Sequence, residues 1–366
     1  MEILFFVEDP GAANFILDIP QKVSNEGVVA QLFASSFASE FLLKRNVAFI
    51  DLNKNQEAAD ILIKYSPKLI VVGTSQNSRS IGLDLIDCGK RLGIPTIGFV
   101  DSPADCDYRF RGQSKDPLKH EPDWVLAPDN FTKSILVQLG FRKEKIDICG
   151  NPNYKRILKL KSEYDKIGVK KLRHDLNIKD SGSPLIIFID EHLNSHDKRL
   201  FKSEDYLFSG NQNAKNRNEI ILSELLLALR SCKIPQNIIV RLHPKSNESG
   251  YNIFKNQIQS FSYENDPLKV LYCADIVVGM TSMLLVEALL LGKDVISIIP
   301  REVELAWAPQ LLWEYIRPVT NSNDLRQALL SNSRMGELAN SGSRKMRKKT
   351  EADIVNCILE KYKEYA

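Results

Sequence analysis

Two stretches carry side chains that could manage a phosphate. Arg241-Leu242-His243-Pro244-Lys245 places a guanidinium, an imidazole and an ammonium at the end of an apolar run. Pro244 fixes the chain's exit there, so that His243 is presented rather than buried, and such cations pair readily with phosphate oxygens. Gly279-Met280-Thr281-Ser282 ends a second apolar run. Gly279 allows close backbone approach, and Thr281 or Ser282 can cap a helix whose N-terminal N–H groups favour anions. Glu287 lies more than one turn inside that helix among apolar neighbours, too deep for a capping box, so it needs another partner such as a ribose or sugar hydroxyl. The plainer readings are a surface strand end with a satisfied histidine, and a glutamate bonded to donors within the core.

Carboxylates gather at other strand ends. Glu8-Asp9-Pro10-Gly11 follows the apolar run Ile3–Val7, and Asp101 and Asp105 follow Thr96–Val100. Glu8, Asp9, Asp101 and Asp105 can thus face the same cleft as the phosphate donors.

These positions require an alternating architecture, because in open parallel sheets ligands collect at the carboxyl ends of strands. The first half of the chain alternates apolar runs (Ile3–Val7, Val28–Ala34, Leu69–Val72, Thr96–Val100) with amphipathic segments (Asn14–Asn25, Ser36–Arg45, Gly82–Leu92), the pattern of a doubly wound sheet. Trp124–Ala127, a helix over Asn130–Leu139 and Ile146–Cys149 close this series before Gly150-Asn151-Pro152. The alternation resumes at Pro184 with Leu185–Asp190, a helix over Glu219–Ser231, a strand through Val240, a helix around Tyr251–Phe261, Asp275–Gly279, a helix over Ser282–Leu291 and Asp294–Pro300. The polar run Asn194–Asn218 reads as a long loop. The expected division is 1–153 and 154–350, with the C-terminal helix 351–366 able to pack back on the first domain.

A chain of 366 residues exceeds what one core usually organises. Its 43% apolar and 26% charged residues are ordinary globular proportions, which argues against disorder. A formal charge of +3 argues against a nucleic-acid surface, and the basic run Ser341–Thr350 reads as a solvated face. Six scattered cysteines without a CxxC pair give no zinc site or disulfide scaffold, fitting a reducing cytoplasm. No metal set is expected. The acidic N-terminus is no signal peptide, and no run has the length a membrane-spanning helix needs, leaving at most a peripheral membrane association.

Arg241-x-His243-Pro244, followed by Ala274-Asp275, Thr281-Ser282, Glu287-Ala288 and Gly292, resembles the donor-binding domain of GT-B glycosyltransferases and their relatives. Those relatives include CDP-glycerol glycerophosphotransferases, bacterial sialyltransferases and non-hydrolysing UDP-N-acetylglucosamine 2-epimerases. The stretch Asp123–Tyr154 is similar to the segment closing the N-terminal domain in several of them. The resemblance implies an α/β, GT-B-like fold: two doubly wound, Rossmann-like domains facing a central cleft, acceptor side first and nucleotide-donor side second.

In the sialyltransferase comparison His243-Pro244 and Thr281-Ser282 match motifs that contact a cytidylate, while Pro10 interrupts the acidic motif that Glu8-Asp9 and Gly11 would form. The epimerases carry a basic-acidic cluster where this chain has Asp190-Glu191-His192-Leu193-Asn194, and no arginine pair stands there; those carboxylates are expected to repel a diphosphate. The implied activity is a metal-independent glycosyltransferase, or glycerophosphotransferase-like enzyme, of bacterial surface polysaccharide or glycan synthesis. Its co-substrate is a CMP-, CDP- or UDP-linked sugar, its acceptor a glycan or a lipid-linked molecule, and no cofactor is permanently bound. Arg241, His243, Pro244, Lys245, Gly279, Thr281, Ser282, Glu287 and Gly11 would hold the donor, and Asp9, Asp101 or Glu8 would be the base. The alternatives are a nucleotide-sugar 2-epimerase or hydrolase, and a non-catalytic glycan- or nucleotide-binding protein.

Overall fold

The computed structural model describes residues 1–52, 56–179, 181–192, 200–263, 266–308, 310–331 and 354–365. Two compact units divide at Asn153–Tyr154, and the C-terminal helix Ile354–Tyr365 belongs to the first.

The first unit is built on a seven-stranded parallel sheet of order β3-β2-β1-β4-β5-β6-β7. Its strands are β1 Ile3–Val7, β2 Ala30–Ala34, β3 Ile50–Asp51, β4 Leu69–Gly73, β5 Thr96–Phe99, β6 Trp124–Ala127 and β7 Ile146–Ile148. Side-chain alternation sends Ile3, Phe5, Val7, Leu69 and Val71 to one core, and Leu4, Phe6, Ile70 and Val72 to the other. Both faces are therefore apolar, as parallel strands covered by helices on each side require. Those helices are α1 Pro10–Ile16, α2 Ile19–Asn25, α3 Ser36–Leu43, α4 Ala58–Tyr65, α5 Ile81–Leu92 and α6 Asn130–Gln138. The order reverses between β1 and β4, which makes their carboxyl ends the switch point where ligands sit in such sheets.

The C-terminal helix buries Ile354, Val355, Ile358, Leu359 and Tyr362, a three-to-four-residue spacing, in the core that contains Ile19 and Val23 of α2. Its polar tips are tied as well: the Tyr362 hydroxyl donates to Glu2 Oε1 at 2.5 Å, and the Tyr365 ring lies 5.0 Å from that of Trp124.

The second unit has a five-stranded parallel sheet of order β10-β9-β8-β11-β12. The strands are β8 Ile186–Ile189, β9 Ile238–Arg241, β10 Ser260–Ser262, β11 Ile276–Gly279 and β12 Asp294–Ser297. The helices that bear on the site are α7 Pro152–Ile167, α8 Val169–Asp175, α9 Arg217–Ser231, α10 Pro267–Cys273 and α11 Met283–Leu290. Ile187, Ile189, Ile239 and Val277 serve one core while Ile186, Phe188, Val240 and Val278 serve the other. Here the order reverses between β8 and β11.

Local differences from the sequence expectations have physical causes. The helix expected over Asn14–Asn25 is two, with Pro20 in the first turn of α2, where its missing N–H costs no hydrogen bond. The helix expected around Tyr251–Phe261 is a 3₁₀ segment, Glu248–Phe254, followed by β10. That edge strand is only three residues long and lacks an apolar run because Ser260 is exposed and Ser262 bonds to Arg241. The helix expected from Glu219 begins at Arg217. The basic run Ser341–Thr350, and residues 194–199 of the expected long loop, lie outside the described residues. Among the described residues, no helix is long and apolar enough to cross a membrane.

Candidate functional site

In the first unit the acidic candidates occupy the ends of β1 and β5. Glu8 is buried one residue past β1 and accepts hydrogen bonds from Ser75 Oγ (2.9 Å) and Asn77 Nδ2 (3.1 Å), both beyond β4. Burial raises its pKa, although hydrogen bonds from Ser80, Ser75 and Asn77 oppose the rise. Asp9 is the N-cap of α1, its Oδ1 accepting from Gly11 N at 3.4 Å. Asp101 sits 3.1 Å from Arg109 Nη1. Arg109 in turn donates to the carbonyls of Thr74 (2.9 Å) and Ala104 (3.2 Å). Burial alone would lower the Arg109 pKa, but Asp101 outweighs it and the guanidinium stays charged.

Gly11 has a specific reason to lack a side chain: a Cβ there would stand 2.5 Å from Asp101 Oδ2. Two residues 90 positions apart in sequence thus share one spot, and Asp101 is the carboxylate that this arrangement aims. Asp105 lies in the same loop, in the left-handed region at φ 53°, just before the short 3₁₀ turn Cys106–Tyr108.

In the second unit the residues read from sequence fall into two groups. Arg241 is buried in β9 and donates to Ser262 Oγ on β10 at 3.0 Å, on the side of the sheet away from β11. The turn that follows is organised by Asp190 at the end of β8. Its Oδ2 accepts from His243 N at 3.0 Å, and its Oδ1 from Tyr251 OH at 2.5 Å and Asn218 Nδ2 at 2.6 Å. Burial raises the Asp190 pKa against these bonds. His243 Nδ1 accepts from Lys245 N at 3.1 Å, which leaves the proton of the neutral ring on Nε2. The His243 ring stacks on His192 with centroids 5.4 Å apart. Lys245, with Asp190, His192, Asn216, Asn218 and Tyr251, lines a polar cavity of about 170 Å³, while Pro244 is exposed.

The second group converges on the switch point. Ser282 is the N-cap of α11, its Oγ accepting from Leu284 N at 3.2 Å. The backbone N–H groups of Met280 (3.2 Å), Thr281 (2.6 Å) and Ser282 (2.9 Å) all point at one carboxylate oxygen, Glu191 Oε1. Glu191 Oε2 accepts from Thr281 Oγ1 and from Arg217 Nη1, both at 2.7 Å. The donors that the sequence assigns to a phosphate therefore form an anion nest, and in this structure the anion is the chain's own Glu191. Gly279 serves packing here: a Cβ would meet Leu285 Cδ2 at 3.2 Å and Ile189 Cβ at 3.3 Å, so its absence lets α11 lie close on β8. Glu287 is buried on α11.

Behind the nest lies a charge cluster that sequence reasoning missed. Arg217, 3% exposed, also reaches Thr281 Oγ1 (3.3 Å) and pairs with Glu304, which Arg301 Nε meets at 2.8 Å. Trp307 lies near both guanidinium groups, 5.6 Å from Arg217 and 5.4 Å from Arg301. Burial favours a neutral Arg217, yet Glu191 and Glu304 together raise its pKa. Burial likewise works against an ionised Glu191, but Arg217 and Thr281 hold its pKa below the ordinary value. One signal for Arg217 was present in the sequence: Asn216-x-x-Glu219 is a helix-start pattern, and Asn216 Oδ1 does accept from Glu219 N at 3.0 Å. Among the described residues, no group of three or more His, Cys, Asp or Glu is placed to hold a metal ion.

No protein-family model matches the sequence, and no curated protein matches it either. Solved structures do match over the whole chain. The UDP-GlcNAc 2-epimerase from Neisseria meningitidis, bound to UDP-GlcNAc, gives a TM-score of 0.64 at 13% identity, covering 100% of both chains. Anabaena Alr3699/HepE, in complex with UDP and glucose, gives 0.63 at 14% identity, also over 100% of both. A glycosyltransferase from Rickettsia africae ESF-5 gives 0.61 at 16% identity, covering 100% of this chain and 98% of that one. With two parallel-sheet α/β units and end-to-end similarity of this kind, the chain has the GT-B fold.

Proposed function

We propose that this protein is an enzyme acting on a nucleotide-activated sugar, and that its first activity is glycosyl transfer. The observation that carries the proposal is the convergence of the Met280, Thr281 and Ser282 N–H groups on a carboxylate at the β8–β11 switch point. Donors that satisfy a carboxylate there are equally suited to a phosphate oxygen. Support also comes from the full-length similarity to structures described as bound to UDP-GlcNAc, or to UDP and glucose.

In this reading unit 154–350 is the donor domain. The Met280–Ser282 nest receives the donor phosphate, His243 and Lys245 supply further donors, and Glu287 meets a donor hydroxyl. Arg241 has the smaller part of holding β9 to β10. Unit 1–153 is the acceptor domain, with Asp101 as base and Glu8 and Asp9 as its polar surroundings. The acceptor hydroxyl loses its proton to Asp101 as its oxygen bonds to the sugar's anomeric carbon. The bond from that carbon to the phosphate oxygen breaks, and the departing phosphate takes its charge to the nest. A nucleotide-activated polyol phosphate fits the same donor groups.

A thermal-shift and calorimetric series with UDP, CDP, CMP, GDP and TDP tests this. A nucleotide at a hundred times its dissociation constant stabilises the fold by about 2.7 kcal/mol, and His243→Ala or Ser282→Ala weakens the response. No response to any of the five removes the proposal. A second reading, nucleotide-sugar 2-epimerase, is favoured by the similarity to the Neisseria meningitidis enzyme. Incubating UDP-GlcNAc alone and following it by NMR separates the two, since conversion without acceptor belongs to an epimerase or hydrolase.

A further inference from the structure

We infer that Glu191 is a built-in competitor for the phosphate site: its carboxylate occupies the Met280–Ser282 nest and must leave before a nucleotide's phosphate can enter. The inference rests on the nucleotide reading of this site and adds to it a residue that limits affinity.

The geometry leaves no room for sharing. Three backbone N–H groups are spent on Glu191 Oε1, and the Thr281 hydroxyl and an Arg217 N–H on Oε2. Each backbone N–H has one proton to give, so a phosphate oxygen arriving at the nest finds its donors engaged and a full negative charge in contact distance. The position is also the topological switch point, where this sheet type places its ligands. At the corresponding point of the first unit Glu8 accepts from side chains, those of Ser75, Asn77 and Ser80, where Glu191 accepts from three backbone N–H groups.

The cluster behind the nest is equipped for an exchange of anions. Arg217 keeps Glu304 as a partner when Glu191 departs. Arg217 Nε and Arg301 Nη2 are buried donors with no hydrogen-bond acceptor among the described residues, so the cluster has unspent capacity for an incoming oxygen. Acid does not provide the release: with its pKa held below the ordinary value, Glu191 stays ionised throughout the neutral range. Displacement must come from the ligand, and the apparent affinity is the intrinsic one reduced by the fraction of chains whose nest is open.

The test compares wild type with Glu191→Gln, which removes the charge, Glu191→Ala, which removes the group, and Asp205→Asn. The last deletes an exposed charge near Arg301 as an electrostatic control. UDP, CDP, CMP, GDP and TDP are titrated by calorimetry alongside uridine, cytidine, guanosine and thymidine, with folding checked by circular dichroism. We expect the nucleotide that binds wild type to bind both Glu191 variants at least ~10-fold tighter, a difference of about 1.4 kcal/mol, and Asp205→Asn within about twofold of wild type. Folded Glu191 variants that bind the nucleotide no tighter than wild type overturn the inference and leave the nucleotide reading standing. If no nucleotide binds wild type or variant, the nucleotide reading itself has failed. Wild type alone gives a second measure should the variants not fold. A competitor keeps the gain from adding phosphate to the nucleoside small, so a nucleotide bound over 100-fold more tightly than its nucleoside overturns the inference.

Discussion

Replacing Arg217 by methionine keeps the aliphatic reach of the side chain and deletes its charge. In the native chain the guanidinium is 3% exposed and donates to Glu191, Glu304 and Thr281. Its removal leaves two carboxylates with a smaller share of positive charge; Glu304, fully buried, retains among the described residues only Arg301 as a cationic partner. Breaking a buried pair from one side costs roughly 3–5 kcal/mol. For a unit of 195 residues, Tyr154 to Lys348 inclusive, each kcal/mol moves the melting temperature by about 2–4 °C, so the transition of this unit should fall by roughly 6–20 °C. Scanning calorimetry on the whole chain measures it, with the first unit's transition as an internal reference. The Arg217→Met/Glu191→Gln double variant should be less destabilised than the sum of its parts by about 1–3 kcal/mol, the coupling expected of groups in direct contact. A fall smaller than ~2 °C, or strict additivity, would refute the view that these charges are mutually dependent.

Four further outcomes are expected. Glu191 binds a proton less readily in the folded chain than at its ordinary value of 4.5; its stabilisation is therefore full above that pH and lost as pH falls through the lower folded value. Urea denaturation from pH 6 to 3 should show Glu191→Gln losing less stability on acidification than wild type. Gly11→Ala should change stability by less than about 1 kcal/mol while lowering turnover roughly 10²-fold, since the new methyl displaces Asp101. Asp101→Asn should lower turnover roughly 10²–10⁴-fold with nucleotide affinity unchanged; wild-type turnover in both variants moves the base elsewhere. Leu359→Ala, in the C-terminal helix, should cost about 2–5 kcal/mol in the first unit's transition alone.

The central strands of both sheets were legible because strands buried on two faces must be continuous apolar runs, and Ile3–Val7 or Ile186–Ile189 can be little else; the edge strands β3 and β10, two and three residues long, carry no such run. The helix start at Ser282 was legible for a similar local reason, a capping side chain after a strand that ends in glycine. Glu191 and Arg217 were not, because their importance comes from a meeting across 26 positions that no periodicity encodes. The two carboxylates at Asp190-Glu191 look alike in sequence and point opposite ways, one organising the His243 turn and the other the nest. Arg241 shows the converse: a cation at a strand end is visible in sequence, but its bond to Ser262 on the neighbouring strand is not. Gly11 and Asp101 were separately visible, but only the fold puts one where the other's side chain would be.

The C-terminal helix has a consequence for how the chain comes into being. Its residues Ile354, Ile358 and Leu359 complete a core whose other members, Ile3, Phe5 and Ile19, leave the ribosome more than 300 residues earlier. Roughly 200 residues separate Asn153 from Ile354, a synthesis time of about 10–40 s at 5–20 residues per second. During that interval the nascent first unit exposes the apolar side chains, Ile19 and Val23 of α2 among them, that the helix later covers, while the second unit, contiguous from Tyr154, can finish first. The order of completion is thus the reverse of the order of synthesis, and the early half of the chain is the one that waits.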